Sequence, residues 1–440
     1  MEKAYISVIG AGLAGCEAAW QIANRGIQVM LYEMKPNKKS PAHHSDTFAE
    51  LVCSNSLKAA RTASAAGMLK QEMRMLNSLL LKCADACSVS AGGALAVNRD
   101  DFSGMVTNYI NQHPNITVVN EEITELPQDK IAVIATGPLT ADLLAENIKE
   151  KLGGALSFFD AAAPIVTAES IDFNSAFFAS RYGKGSGDDY INCPMNKEEY
   201  ESFHAELVAA QRAPLKDFDV QNPKVYEGCM PIEVMAQRGA DTIRFGPMKP
   251  VGLTDPKTGH RPWAVLQLRK ENNQGTLYNL VGFQTNLKFP EQKRVFSMIP
   301  ALKNAEFVRY GVMHRNTFIN SPQLLDADYS LRKNHSLFFA GQLTGVEGYM
   351  ESGSSGLLAG INAARLFMGK KTLVLPNVTM MGALAGYISN PSVTCFQPMG
   401  ANIGILPQLS ENIRDKRLKA EKHSLRSFST LEGFINENNI

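Results

Sequence analysis

The sequence predicts an α/β protein in which a doubly wound domain of the Rossmann type is interrupted by an inserted α+β domain. The chain opens with a strand, a glycine turn, a helix and a second strand over residues 4–33, and a further strand–glycine–helix segment follows at residues 337–368. Between them, from residue 156 to about residue 301, this alternation gives way to short strands, aromatic clusters and turns. We therefore assign residues 1–155 and 305–440 to two parts of one domain and residues 156–304 to the insertion.

The opening turn is a Gly-x-Gly-x-x-Gly motif placed where a strand becomes a helix. Its six residues are Gly10, Ala11, Gly12, Leu13, Ala14 and Gly15. In such a motif the first glycine allows the tight turn, the second leaves room for a pyrophosphate, and the third lets the helix pack closely on the sheet. The first amides of the helix and its positive dipole end then face the phosphates. The motif predicts dinucleotide binding.

Glu33 closes the second strand, 23 positions after Gly10. A carboxylate at this place accepts hydrogen bonds from the hydroxyls of an adenosine ribose and repels a 2′-phosphate. We therefore expect an adenine dinucleotide other than NADP at this turn.

Two later segments are expected to return to the same cofactor. Residues 131–137 form a buried strand type of run that ends at Gly137, although a buried strand followed by an ordinary loop fits the same letters. Residues 337–340 form an apolar strand that leads into Gly341, Gln342 and Gly345, and a helix is predicted over residues 354–368. A strand, glycine turn and long helix in this order are typical of FAD enzymes. The FAD-binding domain is therefore predicted to be discontinuous.

The composition is that of a soluble globular protein. Its net charge of +1 supplies no general attraction for a polyanion, so an RNA partner would need a local basic patch. Seven cysteines without zinc-type spacing do not suggest a disulfide framework or a metal site. The first strand leaves no room for a signal peptide, and no apolar run approaches the roughly 20 residues that span a bilayer. We expect a cytoplasmic protein that binds no membrane.

Two cysteines are candidates for catalysis. Cys53 lies among small polar residues near a predicted helix start, where helix amides and Lys58 would favour a thiolate. Cys229 follows a glycine and precedes a proline-constrained segment, with Lys224 and Arg238 nearby in sequence. For each, a buried structural thiol is the alternative. A helical stretch is predicted over residues 67–83. Cys83 at its end and Cys87 four residues later would share one helix face, and we interpret this pair as structural.

Two basic segments are candidates for RNA binding. Lys288, Lys293 and Arg294 lie among aromatic residues that could stack a base or a pterin ring, namely Trp263, Phe283, Tyr310 and His314. A helix predicted over residues 413–426 would present a basic surface that includes Arg414, Lys416, Arg417 and Lys419. An ordinary solvated face explains either segment equally well.

Seven stretches together resemble the bacterial folate- and FAD-dependent tRNA (uracil-5-)methyltransferases over nearly the whole chain. They are VIGAGLAGCEAAWQ, LVCSNSLK around Cys53, AGGALAVNRDDFS, YEGCMPIE around Cys229, GFQTNLK, RYGVMHRNT and FAGQLTGVEGYMESG. The chain departs from the family at Gly400, where asparagine is expected.

The resemblance implies formation of 5-methyluridine at the T-loop uridine, U54, of tRNA. It implies 5,10-methylenetetrahydrofolate as carbon donor and FAD, reduced by NAD(P)H, as the source of hydride. The thiol that matches Cys229 would bond to uracil, and the thiol that matches Cys53 would take part in proton removal. Since a second Gly-x-Gly-x-x-Gly is missing from the sequence, the nicotinamide is expected to bind transiently on another surface.

Three other functions remain open at this stage. Some members of the family modify ribosomal RNA instead of tRNA. An NAD(P)H-dependent flavin disulfide reductase would need a close redox pair of cysteines, and the spacing of Cys83 and Cys87 does not suit that role. The third alternative is a flavin protein that binds RNA without catalysis.

Overall fold

The computed structural model describes residues 4–40, 42–128, 130–153, 156–183, 185–213, 230–272, 274–393, 396–411 and 413–440. The proposed nucleophile Cys229 lies outside the described residues. The strands are β1 (Tyr5–Ile9), β2 (Gln28–Tyr32), β3 (Ser56–Ala59), β4 (Ser88–Val89), β5 (Ala94–Val97), β6 (Ile116–Val119), β7 (Ala132–Ile134), β8 (Leu156–Ala161), β9 (Ile165–Thr167), β10 (Phe177–Phe178), β11 (Tyr190–Met195), β12 (Ala264–Lys270), β13 (Leu277–Leu280), β14 (Phe307–Arg309), β15 (Met313–Phe318), β16 (Ser330–Leu331) and β17 (Asn334–Phe339). The helices are α1 (Leu13–Ala23), α2 (Ala65–Met75), α3 (Leu79–Ala86), α4 (Arg99–Gln112), α5 (Asp142–Leu152), α6 (Lys197–Ala209), α7 (Ile232–Gln237), α8 (Thr242–Phe245), α9 (Phe289–Phe296), α10 (Ser321–Leu324), α11 (Tyr349–Phe367), α12 (Met380–Ile388) and α13 (Lys416–Asn438).

A mostly parallel sheet organises the first and last parts of the chain. Its strand order is β16-β17-β7-β1-β2-β6, and β1 pairs in parallel with both β2 and β7. β17 joins β7 in parallel, so the late strand predicted from residues 337–340 does return beside the opening turn. Because strand, crossover helix and parallel strand repeat on either side of β1, the predicted doubly wound fold is confirmed.

The middle of the chain forms a different sheet and a second hydrophobic core. The antiparallel order is β10-β11-β12-β13-β9-β14, and the apolar residues packed around it lie between residues 166 and 305. The core around the parallel sheet draws on residues 6–148 and 318–431. A two-stranded pair, β8 with β15, lies between these stretches in sequence. The domain boundaries at residues 155/156 and 304/305 stay a prediction.

Helix α11 packs directly on α1, and glycines make this possible. A Cβ at Gly356 would lie 2.1 Å from the Ala14 carbonyl oxygen, and one at Gly360 would lie 2.6 Å from that of Ala18. The two backbones therefore approach closer than any side chain permits. The contact sets the N-terminus of α11 beside the glycine turn.

The C-terminal helix is fixed to the body of the protein by a buried carboxylate. Glu72 of α2 accepts hydrogen bonds from the Met380 and Met381 amides, at 2.7 and 2.8 Å, and from the Ser427 hydroxyl at 2.6 Å. Burial raises the pKa of Glu72 to about 7. This one side chain joins α2, α12 and α13.

Several predicted helices differ from the structure. The helical stretch expected over residues 67–83 is two helices, because Asn77 takes a positive φ of 56° and Ser78 caps α3. The helix expected from residue 354 begins at Tyr349, and the basic helix expected over residues 413–426 runs from Lys416 to Asn438. Two of these boundaries are set by local caps, Ser78 at the start of α3 and Asp415 at the start of α13.

Candidate functional site

A cavity of about 440 Å³ opens between the glycine turn, the Cys53 loop and the start of α11. Most of the residues predicted to bind the cofactor line it: Gly10, Gly12, Leu13, Ala14, Glu33, Gly137, Gly341 and Gln342. Cys53 lines the same cavity. Residues that were proposed for cofactor binding and for chemistry are therefore brought together around one space.

Glycine is required at each of the three motif positions for a different physical reason. Gly10 has a φ of +95°, and a Cβ there would lie 2.7 Å from the Ala135 carbonyl oxygen. A Cβ at Gly15 would lie 1.7 Å from the Gly10 oxygen, so this glycine is needed for α1 to meet the turn. A Cβ at Gly12, in contrast, would meet no described atom within 4 Å. The space over Gly12 is not filled by the protein, which is what a pyrophosphate on the helix N-terminus requires.

Glu33 is buried at the end of β2 and held in place by the backbone. The Ala11 amide donates to its Oε2 at 2.8 Å, and the Lys35 amide donates to its Oε1 at 3.0 Å. Ala11 therefore acts through its amide. Each oxygen keeps a further acceptor direction, so a fixed carboxylate on the cavity wall can still accept hydrogen bonds from a ribose diol.

The late glycine segment forms the facing wall. Gly341 has a φ of +79°, and its amide donates to the Ser355 hydroxyl at 2.7 Å, which connects the turn to α11. Gln342 donates to both carboxylate oxygens of Glu347 at 3.0 Å. Gly345 is not a lining residue; a Cβ there would lie 2.4 Å from the Phe396 ring, so its role is packing.

Cys53 does not lie at a helix start, and the prediction that helix amides support its thiolate is wrong. It lies in a loop before β3, and α2 begins only at Ala65. Small residues in this stretch are used for pairing of β3 with β5 instead of for a helix. The ammonium of Lys58 pairs with Glu351 at 2.7 Å, and its predicted effect on the Cys53 thiol stays a prediction. Gly400 lies beside this ion pair, because a Cβ placed on Gly400 would be 3.4 Å from Lys58 Nζ.

The hydroxyl of Tyr349, the first residue of α11, meets Cys53 directly. It accepts hydrogen bonds from the amides of Cys53 and Ser54, at 2.8 and 3.1 Å, and lies 3.0 Å from Cys53 Sγ. Two amide donors occupy the acceptor directions of the phenol oxygen, so the hydroxyl proton is directed to the sulfur. Burial, reinforced by the charge of Cys53, raises the pKa of Tyr349 well above its usual value. The phenol therefore remains a donor.

Two arginines fix the loop from the other side. Arg99 of α4 donates to the Leu51 and Val52 carbonyls at 2.9 and 3.2 Å and pairs with Glu271 at 2.7 Å. Burial lowers the pKa of Arg99, but the charges of Glu271, Tyr349 and Cys53 outweigh burial and leave the pKa raised.

Arg269 of β12 reaches the same loop from the antiparallel sheet. It donates to Asn55 Oδ1 and Ser54 Oγ, both at 2.8 Å. Two guanidinium groups beside the loop favour a negatively charged sulfur at Cys53.

Ile232, near the start of the described segment 230–272, is joined to the cavity lining. Met230 is buried, and the Ile232 amide donates to the Gln284 carbonyl at 2.7 Å. Gln284 is itself a lining residue.

The predicted RNA-binding residues are all exposed, and none of them lines the cavity. Lys288, Lys293 and Arg294 are exposed at α9, and Arg294 pairs with Glu206 and Glu291. Lys416, Arg417 and Lys419 are exposed on the first turns of α13, Arg414 precedes that helix, and Arg417 pairs with Glu421 at 3.0 Å.

Two of the proposed stacking residues are not free to stack. Phe283 is fully buried in the second core, and the Trp263 ring is covered by the Arg244 guanidinium at 3.8 Å. Cys83 and Cys87 are buried, and burial raises the pKa of Cys83 to about 12, which disfavours redox chemistry at this pair.

Comparisons with known proteins show the family of this chain. The family model described as glucose inhibited division protein A, GIDA, matches residues 5–371. A methylenetetrahydrofolate--tRNA-(uracil-5-)-methyltransferase TrmFO of Acetivibrio thermocellus is 62% identical over 434 residues, 98% of this chain and 99% of that relative. The TrmFO of Brevibacillus brevis is 57% identical over 438 residues, 99% of each chain. This chain belongs to the TrmFO family.

The resemblance drawn from the seven sequence stretches is therefore confirmed. Among solved structures, GidA of Aquifex aeolicus in its form II crystal has a TM-score of 0.71 to this chain at 16% identity, covering 98% of this chain and 74% of that one. At that identity the likeness shows a shared fold.

Reasoning from the sequence missed the residues that hold Cys53 in this member of the TrmFO family. Tyr349, Arg99 and Arg269 all lie far from Cys53 in sequence, and only the first two fall inside the motif stretches quoted above. A tyrosine directly after Gly348, at a helix N-terminus, was the available signal.

Proposed function

We propose that this protein forms 5-methyluridine at U54 in the T loop of tRNA. It uses 5,10-methylenetetrahydrofolate as carbon donor, with FAD in the cavity and NAD(P)H as the external reductant, and it acts in the cytoplasm. The relatives' names state the tRNA (uracil-5-) activity and the folate. The observation that supports the proposal most is that one cavity is lined by both the dinucleotide-binding turn and Cys53. In the part of the chain that the structure describes, no helix is both long and apolar enough to cross a membrane.

The residues of the cavity fit FAD. Gly12 leaves open space above the first turn of α1, where backbone amides and the helix dipole would hold the pyrophosphate. Glu33 would accept hydrogen bonds from the ribose, and the Gly341 turn with the start of α11 would face the rest of the cofactor. Reduced FAD, when bound, supplies the hydride that this methylation needs.

Cys229 is proposed as the nucleophile. Its thiolate would add to C6 of uracil, which opens the C5=C6 double bond and moves negative charge to O4. C5 then bonds the one-carbon unit of the folate. Once the C5 proton is removed, tetrahydrofolate leaves and a methylene remains on C5. Reduction of that methylene by hydride restores the double bond and releases Cys229 as thiolate.

Cys53 is proposed as the group that removes the C5 proton. A general base must be unprotonated and within reach of the proton that it takes. Tyr349 and the two arginines favour the thiolate form of Cys53, and the cavity gives it access to a bound substrate.

The tRNA is proposed to bind by its phosphates to exposed basic side chains. The candidates are Lys288, Lys293 and Arg294 near α9, and Arg414, Lys416, Arg417 and Lys419 near α13. Ion pairs partly neutralise the charges of Arg294 and Arg417, so Lys288, Lys293, Arg414, Lys416 and Lys419 are the stronger candidates for phosphate contacts.

The test is reconstitution with purified components. Protein, FAD, NADPH, 5,10-methylenetetrahydrofolate and unmodified tRNA should yield one 5-methyluridine per tRNA, detected by nucleoside mass spectrometry. A tRNA with cytidine at position 54 should yield none. Cys229→Ala and Cys53→Ala should abolish the product while retaining FAD, and Cys87→Ala, at a thiol that does not line the cavity, should remain active. If 5-methyluridine forms in ribosomal RNA but not in tRNA, the proposed tRNA substrate is wrong. If Cys229→Ala remains active, Cys229 is not the nucleophile.

A further inference from the structure

Three aromatic rings are stacked at the surface beside α9. The centroids of Phe289 and Tyr310 are 4.9 Å apart with an interplanar angle of 13°, and those of Tyr310 and Phe307 are 5.5 Å apart at 11°. One face of Phe289 lies on Tyr310, yet 50% of the residue's surface is exposed. We call Phe289, Tyr310 and Phe307 the aromatic column.

The aromatic column is rigidly anchored at its inner end. Phe307 contacts Phe296 with ring centroids 6.5 Å apart, and Phe296 contacts the fully buried Phe283 at 5.3 Å. An exposed ring that is held this way loses little conformational entropy when another ring stacks on it.

The aromatic column is also tied to the rim of the catalytic cavity. The buried amide of Gln292 accepts from the Gly311 amide at 2.8 Å and donates to the Gly311 carbonyl at 2.7 Å, which fixes the residue after Tyr310 against α9. Gly311 packs on the Ala162 carbonyl, and Ala162 lines the cavity. The aromatic column is therefore connected, through Gly311, to a residue of the cavity lining.

The charge around the aromatic column suits a phosphate backbone. Lys288 directly precedes Phe289, and Lys293 follows one helical turn later; both are exposed. Arg294 is paired with Glu206 and Glu291, so three cations stand against two carboxylates here and the local charge remains positive. A planar apolar surface flanked by cations is the combination that proteins use for single-stranded nucleic acid.

We propose that the aromatic column is a stacking site for a nucleobase of the RNA substrate, next to the uridine that is methylated. The proposal rests on the proposed function and specifies how that substrate is held. RNA loops present unstacked bases, which aromatic side chains recognise by stacking, while Lys288 and Lys293 contact the adjoining phosphates.

The test compares Phe289→Ala with Phe178→Ala in the FAD-loaded protein. Phe178 is also 50% exposed and stacked, on Phe173, but it belongs to β10 at the opposite edge of the antiparallel sheet from β14. For unmodified tRNA, Phe289→Ala should raise Kd about tenfold or more with an unchanged salt dependence, whereas Phe178→Ala should bind like the wild type. Lys293→Gln should instead make the salt dependence shallower.

Phe289→Trp keeps a ring and should retain affinity, and Phe289→Leu keeps apolar volume without a ring and should lose it. These two variants decide the case if Phe289→Ala proves unstable. Equal affinity of Phe289→Leu and wild type would overturn the stacking site while leaving methylation intact. Failure of the wild type itself to bind or methylate any RNA would instead refute the proposed function.

Discussion

Replacing Tyr349 with phenylalanine tests what keeps Cys53 reactive. The substitution removes one oxygen that accepts from two amides and donates to Cys53 Sγ across 3.0 Å. The ring remains, so the cavity wall keeps its shape. The sulfur loses a hydrogen bond that is directed to its charged form, while Arg99 and Arg269 still face the loop.

The size of the effect follows from this geometry. A hydrogen bond to a charged group is worth about 1.5–3 kcal/mol, and about 1.4 kcal/mol corresponds to a factor of ten. The midpoint of the pH profile for alkylation of Cys53 should therefore move upward by about one to two pH units. At pH values below the wild-type midpoint the alkylation rate should fall by about ten- to a hundredfold. The amides of Cys53 and Ser54 also lose their acceptor, so a lower free energy of unfolding is expected.

The assay is iodoacetamide labelling between pH 6 and 10, with the Cys53 peptide quantified by mass spectrometry. Tyr387→Phe is the matched control, because it also removes a tyrosine hydroxyl bond, 2.8 Å to the Gln397 carbonyl, but at a place remote from Cys53. FAD content and thermal stability are measured for both variants. A Cys53 profile in Tyr349→Phe that coincides with wild type would refute the role given to the phenol.

Three further predictions concern the fold and its cofactor. Gly12→Ala should fold with wild-type stability but lose FAD, because its Cβ would enter space that no described atom occupies. Gly15→Ala should lose stability as well, since its Cβ would lie 1.7 Å from a carbonyl oxygen of the turn. Denaturant unfolding measures the stability of each variant, and flavin absorbance measures its FAD content. Gly356→Ala should lower the free energy of unfolding by about 1–3 kcal/mol because it separates α11 from α1, and an unchanged unfolding midpoint would contradict that packing. Burial raises the pKa of Glu72 to about 7, so the folded state binds a proton more tightly than the unfolded state. The contribution of Glu72 to the free energy of unfolding should be largest below about pH 4.5 and fall by up to about 3 kcal/mol as the pH rises to 7. Urea titrations at several pH values should show this component in the wild type and its loss in Glu72→Gln.

Local patterns could be read from the sequence because their physics is local. The glycine turn, Glu33 and the intervening helix form a single βαβ unit, so their spacing alone predicted which residues line one wall of the cavity. The return of residues 337–345 to that wall was equally readable, since a buried strand and a glycine turn admit few placements in a parallel sheet.

Contacts between distant parts of the chain could not be read in this way. Tyr349 and Cys53 are 296 residues apart, and Arg269 and Asn55 are 214 apart, so neither pair leaves a trace in local spacing. The start of α11 was placed too late because its small residues weaken helix propensity, while Gly356 is retained to let α11 pack on α1. Lys58 has a φ of 64°, a backbone conformation that an α-helix does not contain, so the helix expected just after Cys53 does not form there.

The most direct test of the central claim uses tRNA that carries 5-fluorouridine at position 54. Fluorine at C5 cannot leave as a proton does, so a sulfur that adds to C6 and commits to transfer stays attached to the RNA. The account predicts that the FAD-loaded protein with 5,10-methylenetetrahydrofolate forms a covalent complex whose modified peptide contains Cys229, and that Cys229→Ala forms none. An adduct mapped to Cys53, or a complex that forms equally well with Cys229→Ala, would contradict it.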